Sequence, residues 1–288
     1  MMIVGRTDLK KFSSHKKKNL IFHLVFIFNM IFFLSSCTNN AERIKKTTTE
    51  MEFVKIPGKD YWMGKYEVIQ AEWESVMGYN PSYDQGKRYP ANRVEPVEII
   101  KFIDRLNRYS QKKYRLPTDF EWWHACMGGR NFEFGTHDGR ISTNRANYNG
   151  RAIDKGYPKG INRGKPTPVG HFRPNPFGLY DMSGNISEYV ETEVDSRFYQ
   201  HVRNKMVSKN TTTKDGKSYD RRVNDMVSRF TITKNGRKYF YQSLGGSWVY
   251  RPTYVRCKII YKNSPFVPEE TADEPSFSRG FRLIREDR

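Results

Sequence analysis

A carboxylate stands at each end of the segment Asp181-Met182-Ser183-Gly184-Asn185-Ile186-Ser187-Glu188, on either side of a tight Gly-Asn turn. The side chains of Asp181 and Glu188 can converge there with backbone carbonyls of the turn. Oxygen ligands, mostly anionic, from a short flexible loop are what Ca²⁺ requires; the same residues equally suit plain satisfaction of the turn amides. Sulfur chemistry has less to work with. The three cysteines, Cys37, Cys126 and Cys257, form no C-x-x-C pair, so neither a zinc knuckle nor a dithiol redox motif is written in the chain. The six histidines (His15, His23, His124, His137, His171, His201) are scattered, without H-E-x-x-H or H-x-x-E-H spacing, and no G-x-S-x-G elbow or Walker loop occurs. No catalytic constellation is visible.

Cys37 has a context of its own. Residues 1–18 carry Arg6, Lys10, Lys11, Lys16, Lys17 and Lys18 against Asp8, and an apolar run of 15 residues follows, Leu20 to Leu34. A spanning helix needs roughly twenty. A basic segment ahead of a short apolar one is the layout of an export signal, and Leu34-Ser35-Ser36-Cys37 resembles the lipobox of bacterial lipoproteins. A diacylated thioether at Cys37 would hold the chain on a bilayer at about 0.8 kcal/mol per buried methylene. Residues 1–36 are therefore read as the signal, 37–50 as a polar tether without periodicity, and 51–288 as the globular domain. The signal's six cations and one acid amount to a net +5, leaving +14 of the formal +19. An exported chain meets no cytoplasmic nucleic acid, so that charge suits anionic envelope components or an acidic partner. With 37% hydrophobic and 15% aromatic residues, neither wholesale disorder nor a polytopic membrane protein is compatible with the composition.

Few regular elements are available to position these residues. Glu95-Pro96 precedes a helix over Val97 to Ser110, with Val97, Ile100, Ile103 and Leu106 at helical spacing. Thr118-Asp119-Phe120-Glu121 is a capping box that opens a second helix running through Cys126 to Gly128-Gly129. A third is expected from Gln70 to Met77. Strands are expected at Ser228 to Thr233 and Arg237 to Gln242, joined at the hairpin signal Asn235-Gly236, and at Tyr254 to Tyr261 and Phe281 to Ile284. Asp195 to Asp225, polar and basic, reads as a surface insertion.

Several segments, in order, carry a common resemblance: Tyr66-Glu67-Val68, Tyr114-Arg115-Leu116-Pro117-Thr118-Asp119-Phe120-Glu121-Trp122, Gly128-Gly129, Asn175-Pro176-Phe177-Gly178-Leu179-Tyr180-Asp181-Met182-Ser183-Gly184-Asn185, Gly245-Gly246-Ser247-Trp248 and Gly280-Phe281-Arg282. The chain resembles the formylglycine-generating enzyme, or sulfatase-modifying factor, family over residues 51–288. The resemblance implies an α+β domain, a compact variant of the C-type lectin-like fold with much irregular backbone. It also implies calcium ligation by the side chains of Asp181 and Glu188 and the carbonyls of Gly184 and Ile186. A second calcium site would start at Asn147 and Tyr148, but its later acid is missing near Ile161 and Asn162, and Asp154 is the only carboxylate nearby. Enzymes of the family oxidise a client cysteine to formylglycine with O₂ and a copper ion held by two cysteines just after the Gly-Gly-Ser-aromatic motif. Those positions are Tyr250 and Val255 here, and Cu(I) held by two thiolates does not survive replacement of both sulfurs, so copper is not expected. Cys257 lies near the second position without a partner, and Cys126 reads as a buried thiol acting as a small hydrophobe.

The leading expectation is a lipid-anchored, non-catalytic binding or scaffolding protein of the cell envelope, placed at the outer membrane. In plan it is similar to gliding-motility lipoproteins of type IX secretion, which also carry a long insertion, here Glu191 to Leu244. Its contact surface would be the former substrate groove, lined by Ser247, Trp248, Tyr250 and Arg251, taking an envelope protein or an extended peptide. The alternatives are a formylglycine-generating oxidase with an unconventional site and a lectin-like surface receptor.

Overall fold

The computed structural model describes residues 40–194, 231–257 and 276–287. The signal, Cys37 and the Asp195 to Asp225 insertion lie outside the described residues. Two four-stranded sheets organise the chain. The first runs in the order β1 (Phe53–Lys55), β2 (Trp62–Gly64), β8 (Ile284–Glu286), β3 (Lys113–Arg115), all antiparallel, so the chain's last strand sits between two early ones. The second runs β5 (Thr231–Lys234), β6 (Arg237–Leu244), β4 (Ser187–Glu193), β7 (Arg279–Gly280). In that sheet β4 pairs antiparallel with β6 and parallel with β7, which sets Glu188 opposite Leu244 on one side and Gly280 on the other.

The described residues form four α-helices, the first of them α1 over residues 40–50. The other three follow their local signals. α2 (Gln70–Met77) ends at Gly78, whose amide returns to the Glu74 carbonyl at 2.8 Å. α3 (Pro96–Tyr109) has the expected extent, but its buried face is Ile99, Phe102, Ile103 and Leu106, while Val97 is 51% exposed. The true stripe is the i, i+3, i+4, i+7 set starting at Ile99. In α4 (Asp119–Cys126) the Thr118 hydroxyl accepts from the Glu121 amide at 3.2 Å, and the Glu121 carboxylate accepts from the Thr118 amide at 2.8 Å. Phe102 stacks on Trp73 of α2 at 5.3 Å, and Phe281 meets both edge-on, which forms the centre of one core. A second core gathers Trp122, Leu179, Met182, Val190 and Leu244.

Several expectations are corrected. Residues 40–50, read as an irregular tether, are helical: α1 buries Ile44 and Thr47 and is tied to α2 by a 2.7 Å hydrogen bond between the Thr47 and Ser75 hydroxyls. Tertiary contacts supply what its short apolar pattern did not announce. Pro252–Val255 is a 3₁₀ turn rather than the start of a strand, with Pro at its first position; the far end of that expected strand, 258–261, lies outside the described residues. The strand expected over Phe281 to Ile284 is interrupted as well, because β7 ends at Gly280 and β8 begins at Ile284, with Phe281, Arg282 and Leu283 between them in neither strand. Cys126 and Cys257 are not free thiols but a disulfide, with Cα atoms 5.4 Å apart. The Cys257 amide donates to the Glu133 carbonyl at 2.8 Å, which carries the post-groove segment back toward the end of α4. The Glu191 to Leu244 span is likewise no simple insertion: its ends are strands β4, β5 and β6, with the β5–β6 turn at Asn235-Gly236, both at positive φ as a two-residue hairpin demands.

Candidate functional site

The Gly-Asn turn delivers the chain into β4, and its backbone dictates its residues. Gly184 has φ +82° and lies so close to the Asn147 carbonyl that a Cβ would sit 2.2 Å from that oxygen. Asn185, fully buried, joins four segments: its amide donates to the Asn147 carbonyl at 2.8 Å, its carbonyl accepts from the Trp248 amide at 3.0 Å, its side-chain oxygen accepts from the Thr167 amide at 2.8 Å, and its Nδ2 donates to Glu67 Oε2 at 2.8 Å. Asn185 is thus the hinge between the groove and the layer below it.

That layer is a buried cluster of carboxylates around one guanidinium. Arg282 lies 2.5 Å from Glu188 through both Nε and Nη2 and also donates to the carbonyls of Gly64 and Tyr180, with no exposed surface. Trp122 Nε1 donates to Glu188 at 2.7 Å. Glu67, also buried, accepts from the Ile186 amide at 3.2 Å. Asp181, at φ +56°, accepts from the Gly170 amide at 2.8 Å through Oδ2, while Oδ1 has no partner among the described residues. Three acids therefore face one fixed cation. Burial, followed by the charges of Asp181 and Glu188, holds the Glu67 carboxyl well above the usual range. Burial pushes Asp181 up to about 6 against the pull of the Gly170 amide and Arg282. Glu67 stands in one of the motifs quoted above, yet nothing local reveals its role, because its partners come from residues more than a hundred positions away.

Of the residues read as calcium ligands, Asp181, Gly184 and Ile186 lie on one loop, Glu188 follows in β4, and Asn147 lies against that loop. Asp181 Oδ1 and Asn147 Oδ1 are buried oxygens without donors among the described residues, the chemistry a hard cation seeks. Glu188 is different, since both its oxygens are committed to Arg282. Among the described residues, no three His, Cys, Asp or Glu side chains gather as a metal-ligand set. The copper positions do not fit that metal: Val255 is buried hydrocarbon, Tyr250 is a phenol, and the described cysteines are bound to each other in the second core.

Above the turn, Ser247 is buried with its hydroxyl unpartnered among the described residues, and the Trp248 indole N–H is likewise unpartnered. Trp248 stacks on Phe277 at 5.9 Å, and Phe277 meets Tyr83, 69% exposed, at 5.9 Å. Arg251 lies 4.8 Å over the Tyr254 ring and donates to its hydroxyl at 2.9 Å, while Tyr254 meets Tyr250 at 5.7 Å. Tyr83 and Phe277 thus extend the aromatic surface that begins at Trp248, and the sequence carries no signal for either.

The model of the sulfatase-modifying factor enzyme 1-like domain matches residues 35–287. The chain belongs to that family. The sulfatase-modifying factor fold is also that of Treponema denticola variable protein 1, 18% identical, with a TM-score of 0.50 over 81% of this chain and 91% of that one. PvdO from Pseudomonas aeruginosa is 20% identical, with a TM-score of 0.48 over 82% and 90%. Among curated proteins, chaperone protein LppX of Paenibacillus barcinonensis is 29% identical over 45% of this chain and 61% of its own length, so the match spans less than two thirds of that relative. The family's scaffold motifs are kept, and the two positions read above as its copper ligands, Tyr250 and Val255, carry no sulfur.

Proposed function

We propose that this chain is a lipid-anchored protein of the cell envelope, held at the outer membrane through Cys37, whose groove binds an extended segment of a partner protein without oxidising it. The observation that carries this reading is the aromatic run Tyr83–Phe277–Trp248, standing where the family's thiolate chemistry is absent. Tyr and Trp are among the side chains that most often anchor protein partners. The name of the relative LppX, a chaperone, agrees with a binding role. The export signal and lipobox support the anchor, and among the described residues no helix is long and apolar enough to cross a membrane. A structural calcium ion at Asp181, with the Gly184 and Ile186 carbonyls, would offset the excess acid of the cluster and fix the turn.

Crosslinking of the full chain in membranes, followed by pull-down, tests the proposal. One reproducible protein partner is expected, with recovery reduced about tenfold by Trp248→Ala, in keeping with an aromatic anchor. Recovery of the chain alone, or formylglycine formed on a Cys-x-Pro-x-Arg peptide after copper loading, would overturn it.

A further inference from the structure

Helix α1 and the body line an open cleft of ≈ 410 Å³, within the range of small-molecule sites, about 300–1,000 Å³. Its charged lining is Arg43, Lys46 and Glu50 from α1, Glu52 just beyond it, and Glu72 and Arg88 from the body. Some of these charges are already spent. Lys46 pairs with Glu50 along the helix at 3.5 Å, and Lys65 takes Glu52 at 2.7 Å. Among the described residues, Arg43 donates to the neutral Asn40 side chain, at 3.1 Å, and to no carboxylate. Arg88 lies over the Tyr66 ring at 5.4 Å, and among the described residues it enters no ion pair, although its charge is felt by Glu72. One Glu72 oxygen accepts from the Ile69 amide at 3.0 Å, as a helix cap, and Glu72 also lines the cleft. Two guanidiniums and a carboxylate thus line one cavity without closing on each other.

A ligand that answers this arrangement carries an anion for the guanidiniums and, a few ångströms away, a cationic donor for the carboxylate. Guanidinium matches the oxygens of phosphate in bidentate fashion. Burial raises Glu72 to about 7, and an ammonium beside it would restore the carboxylate. Cys37 precedes α1 by three residues, about 10 Å of extended chain at most. We propose that the α1 cleft binds an ethanolamine phosphodiester, phosphate on Arg43 and Arg88 and ammonium on Glu72. Its source is a membrane lipid headgroup or a free soluble headgroup. The lipid source rests on the anchoring proposed above; the cleft chemistry does not.

The test is calorimetric titration of the full chain, held in a neutral maltoside detergent, with glycerophosphoethanolamine, with water-soluble dibutanoyl phosphatidylethanolamine and with inorganic phosphate. Both ethanolamine phosphodiesters are expected to bind more tightly than phosphate, and Arg88→Gln and Glu72→Gln are each expected to weaken them about tenfold, the loss of one charge-assisted contact. Tighter binding of the lipid form identifies a bilayer headgroup, and equal or tighter binding of the free form a soluble one; either supports the cleft. Thermal melting of the two variants and of Lys59→Gln, outside the cleft, confirms folding. No binding by either phosphodiester, phosphate binding as well as they do, or affinities unchanged in folded Arg88→Gln and Glu72→Gln proteins would overturn the proposal. Mass spectrometry of Cys37 reports on the anchor separately, so absence of lipid there with intact headgroup binding would fail the anchoring reading alone.

Discussion

Arg282 is the residue on which the buried site turns. It gives two hydrogen bonds to Glu188 and two to backbone carbonyls, at a position with no exposed surface. Removing one partner of a buried pair leaves an uncompensated charge, at a cost of about 3–5 kcal/mol. Arg282→Met is therefore expected to lower the stability read from urea unfolding by that amount, because Glu67, Asp181 and Glu188 would then face each other with no cation. Arg282→Lys should rescue little, since a point charge cannot reproduce the fork and reach Gly64 and Tyr180 as well. A stability within about 1 kcal/mol of wild type for Arg282→Met would show that the pair is not structural. The Gly280-Phe281-Arg282 motif is legible as a motif; that Arg282 meets Glu188 is not, because the pairing spans 94 positions.

At the scale of elements, the Cys126–Cys257 disulfide ties the end of α4 to the segment after the groove. It closes a separation of 131 residues, and native disulfides of exported domains typically contribute about 2–4 kcal/mol. Reduction, or the double change Cys126→Ala with Cys257→Ala, is expected to destabilise the domain by that order, read as a fall in denaturation midpoint. If reductant leaves the midpoint of the wild-type chain in place, the crosslink is not formed in solution. The sequence does not show the pairing, because an extended strand through Cys257 would keep it beside the groove, whereas the Pro252–Val255 turn and the Cys257–Glu133 hydrogen bond redirect it to α4. Helices announced by their end signals, α2 and α4, are legible residue by residue; α1 is not, since only Ile44 and Thr47 of it are buried and Thr47 finds its partner on α2.

The whole molecule holds several carboxyls above their unfolded values: Glu67 well above, Asp181 at about 6, Glu72 at about 7 and Glu191 raised, all chiefly through burial. Between an unfolded value near 4 and the raised folded value, only the folded state holds the proton. Stability therefore falls as pH rises through that window, by up to about 1.4 kcal/mol per pH unit for each group. Carboxyls held low, Glu121 by Arg115 and Glu286 by Arg115 and Lys113 despite the cost of burial, are ionised in both states above about pH 5 and do not reverse the trend. In calcium-free buffer the melting temperature is expected to drop from about pH 5 to about pH 8. Calcium should restore it at the upper end of that range, and Asp181→Ala should abolish the restoration. A melting temperature that rises with pH under calcium-free conditions would contradict the buried-acid account.

The sequence by itself determined the family, through ordered motifs, and the helix ends, through local capping and glycine chemistry that acts within a few residues. It also fixed the absence of sulfur at Tyr250 and Val255, which is a matter of residue type alone. Tertiary structure decided the partners: Glu67 with Asn185, Glu188 with Arg282, Cys126 with Cys257, Tyr83 and Phe277 with Trp248, and α1 with the body to form the cleft. Each joins residues far apart along a chain with little regular structure, where no periodicity transmits the position of one residue to the next. Only the closed fold, with its buried charge and fixed backbone, sets those distances.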